Sequence, residues 1–233
     1  MRVVVLTGAG ISAESGLPTF RDADGLWEGH RVEEVATPEA YDVEPDFVHR
    51  FYDARRAALA TVEPNPAHHA LADLEQHLGD DLLVVTQNVD DLHERAGSQR
   101  VVHMHGELRS ALCRACGGRT RWTDPLRHRP PCPGCGATDL RPDVVWFGEV
   151  PHAMDLIVQA IRRADLFVSV GTSGAVYPAA GFVHYAMQAG ARTLELNLMP
   201  SEGTELFEEA RHGPAGRLVP AWVRELVHRS LGS

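Results

Sequence analysis

The stretch VVVLTGAGISAESGLPTFRD, residues 3–22, decides the fold, because an apolar run passes directly into a turn of small residues. Val3–Leu6 is typical of a strand covered on both faces, as in a parallel sheet. Residues 8–13, GAGISA, then fit the G-x-G-x-x-G/A pattern, whose small residues let a backbone approach a pyrophosphate at a helix N-terminus. A tight strand-to-helix turn without any ligand has the same pattern.

Outward from this stretch, apolar runs alternate with segments of helical periodicity. This alternation predicts an α/β fold with a doubly wound, parallel, Rossmann-like sheet. We expect further strands at Leu82–Val85, Val101–Val102, Leu166–Val170 and Thr193–Leu196, and helices at Asp46–Leu59, Pro66–Leu78, Pro151–Arg163 and Pro178–Ala189.

The chain departs from the usual dinucleotide-binding pattern after its first turn. That pattern continues to a second strand and an acidic residue about 20 positions later. Here no strand signal arrives before Leu82. We therefore expect a Rossmann-like domain at 1–112 and 144–233, a helical insertion at about 24–65, and a small module at 113–143.

The composition narrows the classes of partner. A net charge of −10 opposes non-specific binding to nucleic acid. All 22 basic residues are arginine, which excludes mechanisms that need a lysine of the protein itself. No run approaches the roughly 20 apolar residues of a membrane helix. We expect a compact cytoplasmic protein without a nucleic-acid or membrane partner.

Four cysteines form two C-x-x-C pairs, Cys113 with Cys116 and Cys132 with Cys135. The spacing between the pairs is typical of a four-thiolate zinc site. With no fifth cysteine, the site is expected to be closed and structural, in a zinc-ribbon module inserted between strands of the sheet. Two disulfides or redox-active pairs are the alternatives, which a cytoplasmic setting disfavours.

Zinc ribbons also bind nucleic acid, so a non-catalytic zinc-ribbon binding module is a second functional hypothesis. The overall acidity of the chain argues against it. Local arginines support it or form a solvated face: Arg109, Arg114, Arg119, Arg121, Arg127 and Arg129.

Polar residues follow two of the predicted strands. Gln87, Asn88 and Asp90 come just after one strand, where side chains project into the ligand crevice of a parallel sheet. Asp90 could instead only cap a short helix. His103 and His105 follow the next strand on one face, so periodicity cannot choose between them. The position of His105 before Gly106 favours it as the residue at the crevice.

Taken together, these motifs resemble those of sirtuins, and the resemblance spans nearly the whole chain. It is similar to the bacterial branch that is most like mitochondrial desuccinylating sirtuins. The motifs, in order, are GAGIS, GLPTFRD, TQNVD, His105-Gly106, the cysteine module, Phe147-Gly148-Glu149, Gly171-Thr172-Ser173 and Leu196-Asn197.

The resemblance implies an NAD-dependent protein-lysine deacylase, removing succinyl or acetyl groups. NAD is then consumed, giving nicotinamide, free lysine and O-acyl-ADP-ribose. The implied partners are acyl-lysine proteins or peptides, and we expect a monomer with one structural zinc. A mono-ADP-ribosyltransferase on the same fold is the alternative.

The resemblance also implies roles for individual residues. His105 matches the catalytic base, and Asn88 and Asp90 act beside it at the nicotinamide and its ribose. Met199 takes a position that is often acidic in the family. The implied NAD contacts are Gly8, Ala9, Gly10, Ser12, Phe20 and Arg21 of a closing loop, Gln87, Asn88, Asp90, Gly171, Thr172, Ser173, Asn197 and Ala215.

Two residues that are three positions apart in the sequence concern the recognition of the acyl group. Tyr52 and Arg55 share one face of a predicted helix and match the family's acid-acyl pair, while Ala36 matches a small residue that leaves room for a longer chain. Helix packing and a solvated face would also explain the pair. The implied contacts to an extended substrate peptide are Val145, Phe147, Gly148, Glu149, Gly174 and Tyr177.

Overall fold

The computed structural model describes residues 1–18 and 29–231. None of the helices in these ranges has the length and apolarity that crossing a membrane requires. The helices are α1 (Ala9–Ser12), α2 (Val32–Val35), α3 (Pro38–Val43), α4 (Pro45–Ala58), α5 (Pro66–Leu78), α6 (Leu92–Ala96), α7 (Met154–Ile161), α8 (Phe182–Gln188) and α9 (Ala215–Leu231). The strands are β1 (Val3–Thr7), β2 (Leu82–Thr86), β3 (Val101–His103), β4 (Gly106–Cys113), β5 (Arg119–Arg121), β6 (Leu140–Val144), β7 (Leu166–Val170), β8 (Arg192–Asn197) and β9 (Glu209–His212).

The main sheet has the order β3-β2-β1-β7-β8-β9, and every neighbouring pair is parallel. The switch point lies between β1 and β7, because the chain places β2 and β3 on one side of β1 and later returns to place β7, β8 and β9 on the other. In such sheets ligands bind at this switch point, beyond the carboxyl ends of the strands. The predicted doubly wound α/β fold is confirmed.

Strand β1 shows why its apolar run is continuous. Val3 and Val5 pack with residues of α5 and α9 on one face of the sheet. Val4 and Leu6 pack with α7 and α8 on the other. Because successive side chains point to opposite faces, a strand covered on both sides needs apolar residues at every position.

Helix α5 matches the predicted Pro66–Leu78 at both ends. Asn65 caps it, because its side-chain oxygen accepts a hydrogen bond from the Ala67 amide at 2.9 Å. Proline in the first turn needs no hydrogen-bond partner for its nitrogen. Helix α4 likewise lies within one residue of its predicted bounds.

The other two predicted helices are shorter than expected. Helix α7 begins at Met154 rather than Pro151, since the His152 amide donates to the Met104 carbonyl and Ala153 has a left-handed conformation. The segment after Pro178 opens with a 3-10 turn before α8 begins at Phe182. Proline in these two places therefore precedes the helix instead of starting it.

A three-stranded antiparallel sheet, in the order β5-β4-β6, carries the four cysteines at one end. Its outer bounds are Gly106 and Val144, so it begins before and ends after the predicted module at 113–143. The division of the chain at 113 and 143 stays a proposal.

Helices α2 to α4 form the helical insertion over its described part. Their core packs against the small sheet, through Val48, Phe51 and Tyr52 on one side and Leu108 and Val144 on the other. The insertion and the small sheet therefore form one body above the main sheet.

One strand of the main sheet and one helix packed on it were not predicted from the sequence. Strand β9 forms the edge of the sheet, and α9 packs along α5. Near the start of α9, the Glu14 carboxylate accepts a hydrogen bond from the Gly216 amide at 2.9 Å. A carboxylate at a helix N-terminus is favoured by the helix dipole.

Candidate active site

One cavity of about 1170 Å³ lies where the carboxyl ends of β1, β2, β7 and β8 meet the insertion and the small sheet. It is larger than the 300–1,000 Å³ typical of small-molecule sites. Its lining includes Gly8, Ala9, Gly10, Ser12, Ala36, Tyr52, Arg55, Gln87, Asn88, Asp90, His105, Val145, Phe147, Gly148, Glu149, Gly171, Thr172, Ser173, Tyr177, Asn197 and Ala215.

The sequence motifs name four more residues, which are Phe20, Arg21, Gly174 and Met199. Phe20 and Arg21 lie outside the described residues. Within the described part, Gly174 is not among the lining residues, and its backbone packs against Ser201 and Glu202 instead. Met199 does line the cavity and is exposed.

The glycines of the first turn are required by a second turn beside them. A Cβ atom on Gly10 would lie 2.7 Å from the Gly171 Cα, and one on Gly8 would lie 2.8 Å from the Gly171 oxygen. Gly171 itself has a φ of +62°, which glycine adopts readily. The Gly10 amide donates to the Gly171 carbonyl at 2.9 Å. The small residues therefore first bring two strand ends together, and the cavity opens at their junction.

A buried hydrogen-bond network joins the first turn to the end of β2. The Ser12 hydroxyl donates to Asp90 Oδ2 at 3.0 Å, and Asn88 Nδ2 donates to both Ser12 Oγ and the Gly8 carbonyl at 3.1 Å. His68, which sequence reasoning missed, also reaches Ser12, with Nε2 at 3.5 Å from the hydroxyl. These predicted site residues are thus brought together by direct bonds.

Asp90 serves two purposes at once. Its Oδ1 accepts a hydrogen bond from the Leu92 amide at 3.1 Å, so it caps α6 as the sequence allowed, and it also lines the cavity. Burial raises the pKa of the Asp90 carboxyl group, while the bonds from Leu92 and Ser12 oppose this by favouring the ionised form.

The structure separates the two candidate histidines. His105 lines the cavity, whereas His103 is outside its described lining. His103 has Nδ1 at 3.1 Å from the Asn88 carbonyl and Nε2 at 2.8 Å from Glu94 Oε1. Burial lowers the pKa of His103, but the Glu94 carboxylate outweighs it and the pKa is raised. Both partners can accept a hydrogen bond, so the surroundings of this ring favour its protonated form.

His105 is held as the neutral ring. Its Nδ1 lies 3.2 Å from the Gln87 carbonyl, which can only accept, so Nδ1 carries the proton and Nε2 is the basic nitrogen. Burial lowers the pKa of His105, the Gln87 bond partly offsets this, and nearby His152 adds to the lowering. A neutral imidazole in a cavity is suited to accept a proton near pH 7.

Tyr52 and Arg55 lie together at the end of the cavity formed by the insertion, with Ala36. The Arg55 guanidinium donates to the Phe51 carbonyl at 3.0 Å and lies 3.2 Å from the centroid of the Phe51 ring. Arg55 is 9% exposed, so it does not form the solvated face that the sequence allowed.

Sequence reasoning missed Trp146, although it named the residues on both sides of it. All three residues, Val145, Trp146 and Phe147, line the cavity, and the Trp146 ring also packs against Tyr41 and Tyr52 of the insertion. The indole donates to the Tyr52 hydroxyl at 2.9 Å. Its place between two residues that the sequence motifs name was the signal available in the sequence.

At the opposite end, Asn197 joins two loops that line the cavity. Its Nδ2 donates to the Thr172 carbonyl at 2.8 Å, and its Oδ1 accepts from the Leu198 amide at 3.0 Å. Ser201 and Glu202 also line this end, and nothing local in the sequence marks them.

The four cysteine sulfurs lie within 4.8 Å of one another. Cys113 Sγ is 3.7 Å from Cys135 Sγ, and Cys116 Sγ is 3.9 Å from Cys132 Sγ. Tetrahedral zinc with bonds of about 2.3 Å separates its sulfur ligands by roughly 3.8 Å. A disulfide needs about 2.05 Å. The cluster therefore fits one tetrahedral metal, and all four cysteines are free of disulfide bonds.

Comparison with known proteins gives a consistent result. The family model described as "Sir2 family" matches residues 8–178. The chain is 56% identical over 228 residues to a protein of Yersinia pestis named NAD-dependent protein deacylase, covering 97% of this chain and 82% of that protein.

Solved structures agree. A Sir2 homologue in complex with NAD superposes with a TM-score of 0.89 at 40% identity, covering 99% of this chain and 90% of that one. A Sir2 protein with a deacetylated p53 peptide and 3′-O-acetyl ADP-ribose superposes with a TM-score of 0.82 at 28% identity, covering 98% and 93%.

Proposed function

Because the chain belongs to the Sir2 (sirtuin) family and is an NAD-dependent protein deacylase, we propose that the cavity binds NAD at the glycine turns and an acyl-lysine side chain beside His105. The single observation that carries this is the continuity of one cavity from the glycine turns, past His105, to Arg55. Its volume suits a dinucleotide together with an acylated side chain.

When bound, NAD supplies the ribose carbon that takes the acyl oxygen as its bond to nicotinamide breaks. The paired turns at Gly8–Gly10 and Gly171–Ser173 line the part of the cavity assigned to the phosphates. Asp90 and Asn88, held by Ser12, are assigned to the nicotinamide and its ribose. Their mutual hydrogen bonds fix these side chains in advance, which lowers the cost of ordering them on binding.

His105 is assigned the role of general base. Its Nε2 accepts a proton from a ribose hydroxyl, while the Gln87 carbonyl stabilises the resulting imidazolium through Nδ1. The products assigned to the reaction are nicotinamide, the free lysine and an O-acyl-ADP-ribose.

The acyl group is proposed to be acidic, with succinyl preferred over acetyl. Arg55 and Tyr52 line the end of the cavity that an acyl chain would reach from His105. A guanidinium with a carboxylate in a partly dry site is worth roughly 1.5–3 kcal/mol.

We assign the cysteine cluster to one structural zinc. Four thiolates leave no position for water, so the metal takes no part in the reaction and holds the small sheet. Metal analysis is expected to give one zinc per chain, and a Cys132→Ser variant is expected to lose it. A full zinc content in that variant would contradict the assignment.

Mass spectrometry of a succinyl-lysine peptide incubated with NAD tests the reaction. The expected products are unmodified peptide and O-succinyl-ADP-ribose, and both should disappear with His105→Ala. The matched control is His128→Ala, at an exposed histidine outside the described cavity lining.

Two other results are informative. ADP-ribosylated peptide without loss of the acyl group would indicate a mono-ADP-ribosyltransferase instead. Equal turnover by His105→Ala and the parent protein would contradict the proposed base.

A further inference from the structure

We propose that Trp146 directs the Tyr52 hydroxyl, so that this hydroxyl donates its hydrogen to the carboxylate of an acidic acyl chain. Trp146 is then a positioning residue for acyl selectivity. The inference rests on the proposed function, in which Tyr52 and Arg55 recognise that carboxylate.

The buried hydrogen bond between Trp146 and Tyr52 has a fixed direction. The Trp146 indole nitrogen lies 2.9 Å from the Tyr52 hydroxyl oxygen, and both side chains are buried. An indole N–H can only donate, whereas a phenol hydroxyl can donate or accept. The Tyr52 oxygen must therefore accept, and its own hydrogen is directed away from the indole.

Arg141 and Glu149 hold the indole of Trp146 in place. The Arg141 guanidinium lies 4.0 Å from the centroid of the Trp146 ring and forms an ion pair with Glu149 at 2.8 Å. The same Glu149 carboxylate accepts a hydrogen bond from the Trp146 backbone amide at 2.8 Å. Backbone and ring of Trp146 are thus anchored to one carboxylate, directly and through Arg141.

The direction of the Tyr52 hydroxyl matters for the terminal carboxylate of an acidic acyl chain. A carboxylate has only acceptor oxygens, so a hydroxyl helps to bind it only by donating. A Tyr52 hydroxyl that faced the carboxylate with its lone pairs would repel it. The indole bond disfavours that orientation, because the hydroxyl hydrogen cannot point at the indole N–H and is left to point toward the cavity side.

Aromatic packing alone would also bury Trp146, since its ring contacts Tyr41 and Tyr52. Packing and orientation predict different kinetics. A packing defect would affect the reaction of every acyl-lysine peptide, whereas a misdirected hydroxyl would affect only a peptide with an acidic acyl group. An acetyl group offers no carboxylate to be recognised.

The test compares succinyl-lysine and acetyl-lysine forms of one peptide. Trp146→Phe keeps an aromatic ring and removes the N–H donor. We expect kcat/KM for the succinyl peptide to fall about tenfold, mostly through KM, with the acetyl peptide changing less than about twofold. Trp222→Phe is the matched control, a buried indole in α9 outside the described cavity lining, and should change neither.

Two further variants show whether both residues act as a unit. Tyr52→Phe should lose the same selectivity, and the double variant should lose no more than Tyr52→Phe alone. Replacing the Trp146 indole N–H by sulfur, with 3-benzothienylalanine, keeps the ring shape and serves if Trp146→Phe folds poorly. Calorimetric Kd values for the two peptides give a readout independent of turnover.

The outcomes separate the two proposals. If Tyr52→Phe loses succinyl selectivity and the Trp146 variants keep it, positioning by Trp146 is overturned and the acyl assignment stands. An equal loss for both peptides also overturns it, in favour of packing. If the parent protein neither binds nor turns over the succinyl peptide better than the acetyl one, both proposals fail.

Discussion

His103 and His105 are two residues apart, yet their surroundings shift the two pKa values in opposite directions. The Glu94 carboxylate raises the pKa of His103, whereas burial lowers that of His105 and so favours the neutral ring. Only a neutral ring can accept a proton. The environment of each ring, rather than its place on the strand, therefore selects the proposed base.

The pH dependence of kcat/KM is the first prediction. Activity should be lost as pH falls through the His105 pKa, because protonation removes the base. Burial lowers this pKa, so half of the plateau value should be reached below pH 6.5. Measuring kcat/KM from pH 5 to pH 8 gives this midpoint. Glu94→Gln should not move the midpoint, and a midpoint above pH 6.5 would refute the assignment.

The second prediction concerns Arg55. Arg55→Met removes the proposed carboxylate partner, so kcat/KM for a succinyl peptide should fall about 10- to 100-fold, while the acetyl peptide should react about as before. Arg50→Met, on the exposed face of the same helix, is the matched control and should alter neither rate. Unchanged succinyl turnover with Arg55→Met would count against the pair.

Two faces of helix α4 contact different parts of the molecule. Tyr52 and Arg55 line the cavity, whereas Asp53 and Arg56 form hydrogen bonds with the module that carries the cysteines. Asp53 accepts hydrogen bonds from the Leu126 amide at 2.8 Å and the Arg127 amide at 3.1 Å. The end of the cavity that Tyr52 and Arg55 line is thus attached to the small sheet through one helix.

The third prediction tests this attachment. Asp53→Asn replaces one acceptor oxygen with a donor group beside backbone amides and Arg56, so it should lower the free energy of unfolding by about 3 kcal/mol. Urea unfolding measures it. The control is Asp46→Asn, because the Asp46–Arg129 pair also joins α4 to the module but is exposed. A smaller effect at Asp53 than at Asp46 would be inconsistent with this account.

At the scale of the whole molecule, histidines that favour the neutral ring are buried on both sides of the cavity. Burial lowers the pKa of His49, in the insertion, to about 4, and that of His68, beside the main sheet, to about 4 as well. The unfolded chain therefore binds more protons than the folded one between pH 4 and 6.5. Stability is fully present above pH 6.5 and is lost as pH falls through that window.

The fourth prediction follows from this difference in proton binding. Between pH 7.5 and pH 5, each of these two histidines should lower the free energy of unfolding by about 2 kcal/mol. Denaturant unfolding at both pH values measures the sum. His49→Gln, which cannot take up the proton, should show a smaller drop than the parent protein. An equal drop in both would exclude His49 as a source.

The sequence alone determined the elements whose signal is local. Five strands of the main sheet, helix α5 and the cysteine cluster appear where periodicity and spacing predicted them. Most predicted site residues line one cavity, since residues just past parallel strands must meet at one edge of the sheet. The local pattern sufficed because each of these features depends on neighbours a few positions away.

Only the tertiary structure decided the rest. It paired Gly10 with Gly171, chose His105 over His103, and brought Trp146 to Tyr52 across 94 positions of the chain. Strand β9 and helix α9 were also not predicted from the sequence. These features depend on which distant surfaces pack together, and on the burial and charge that result, so no window of sequence contains them.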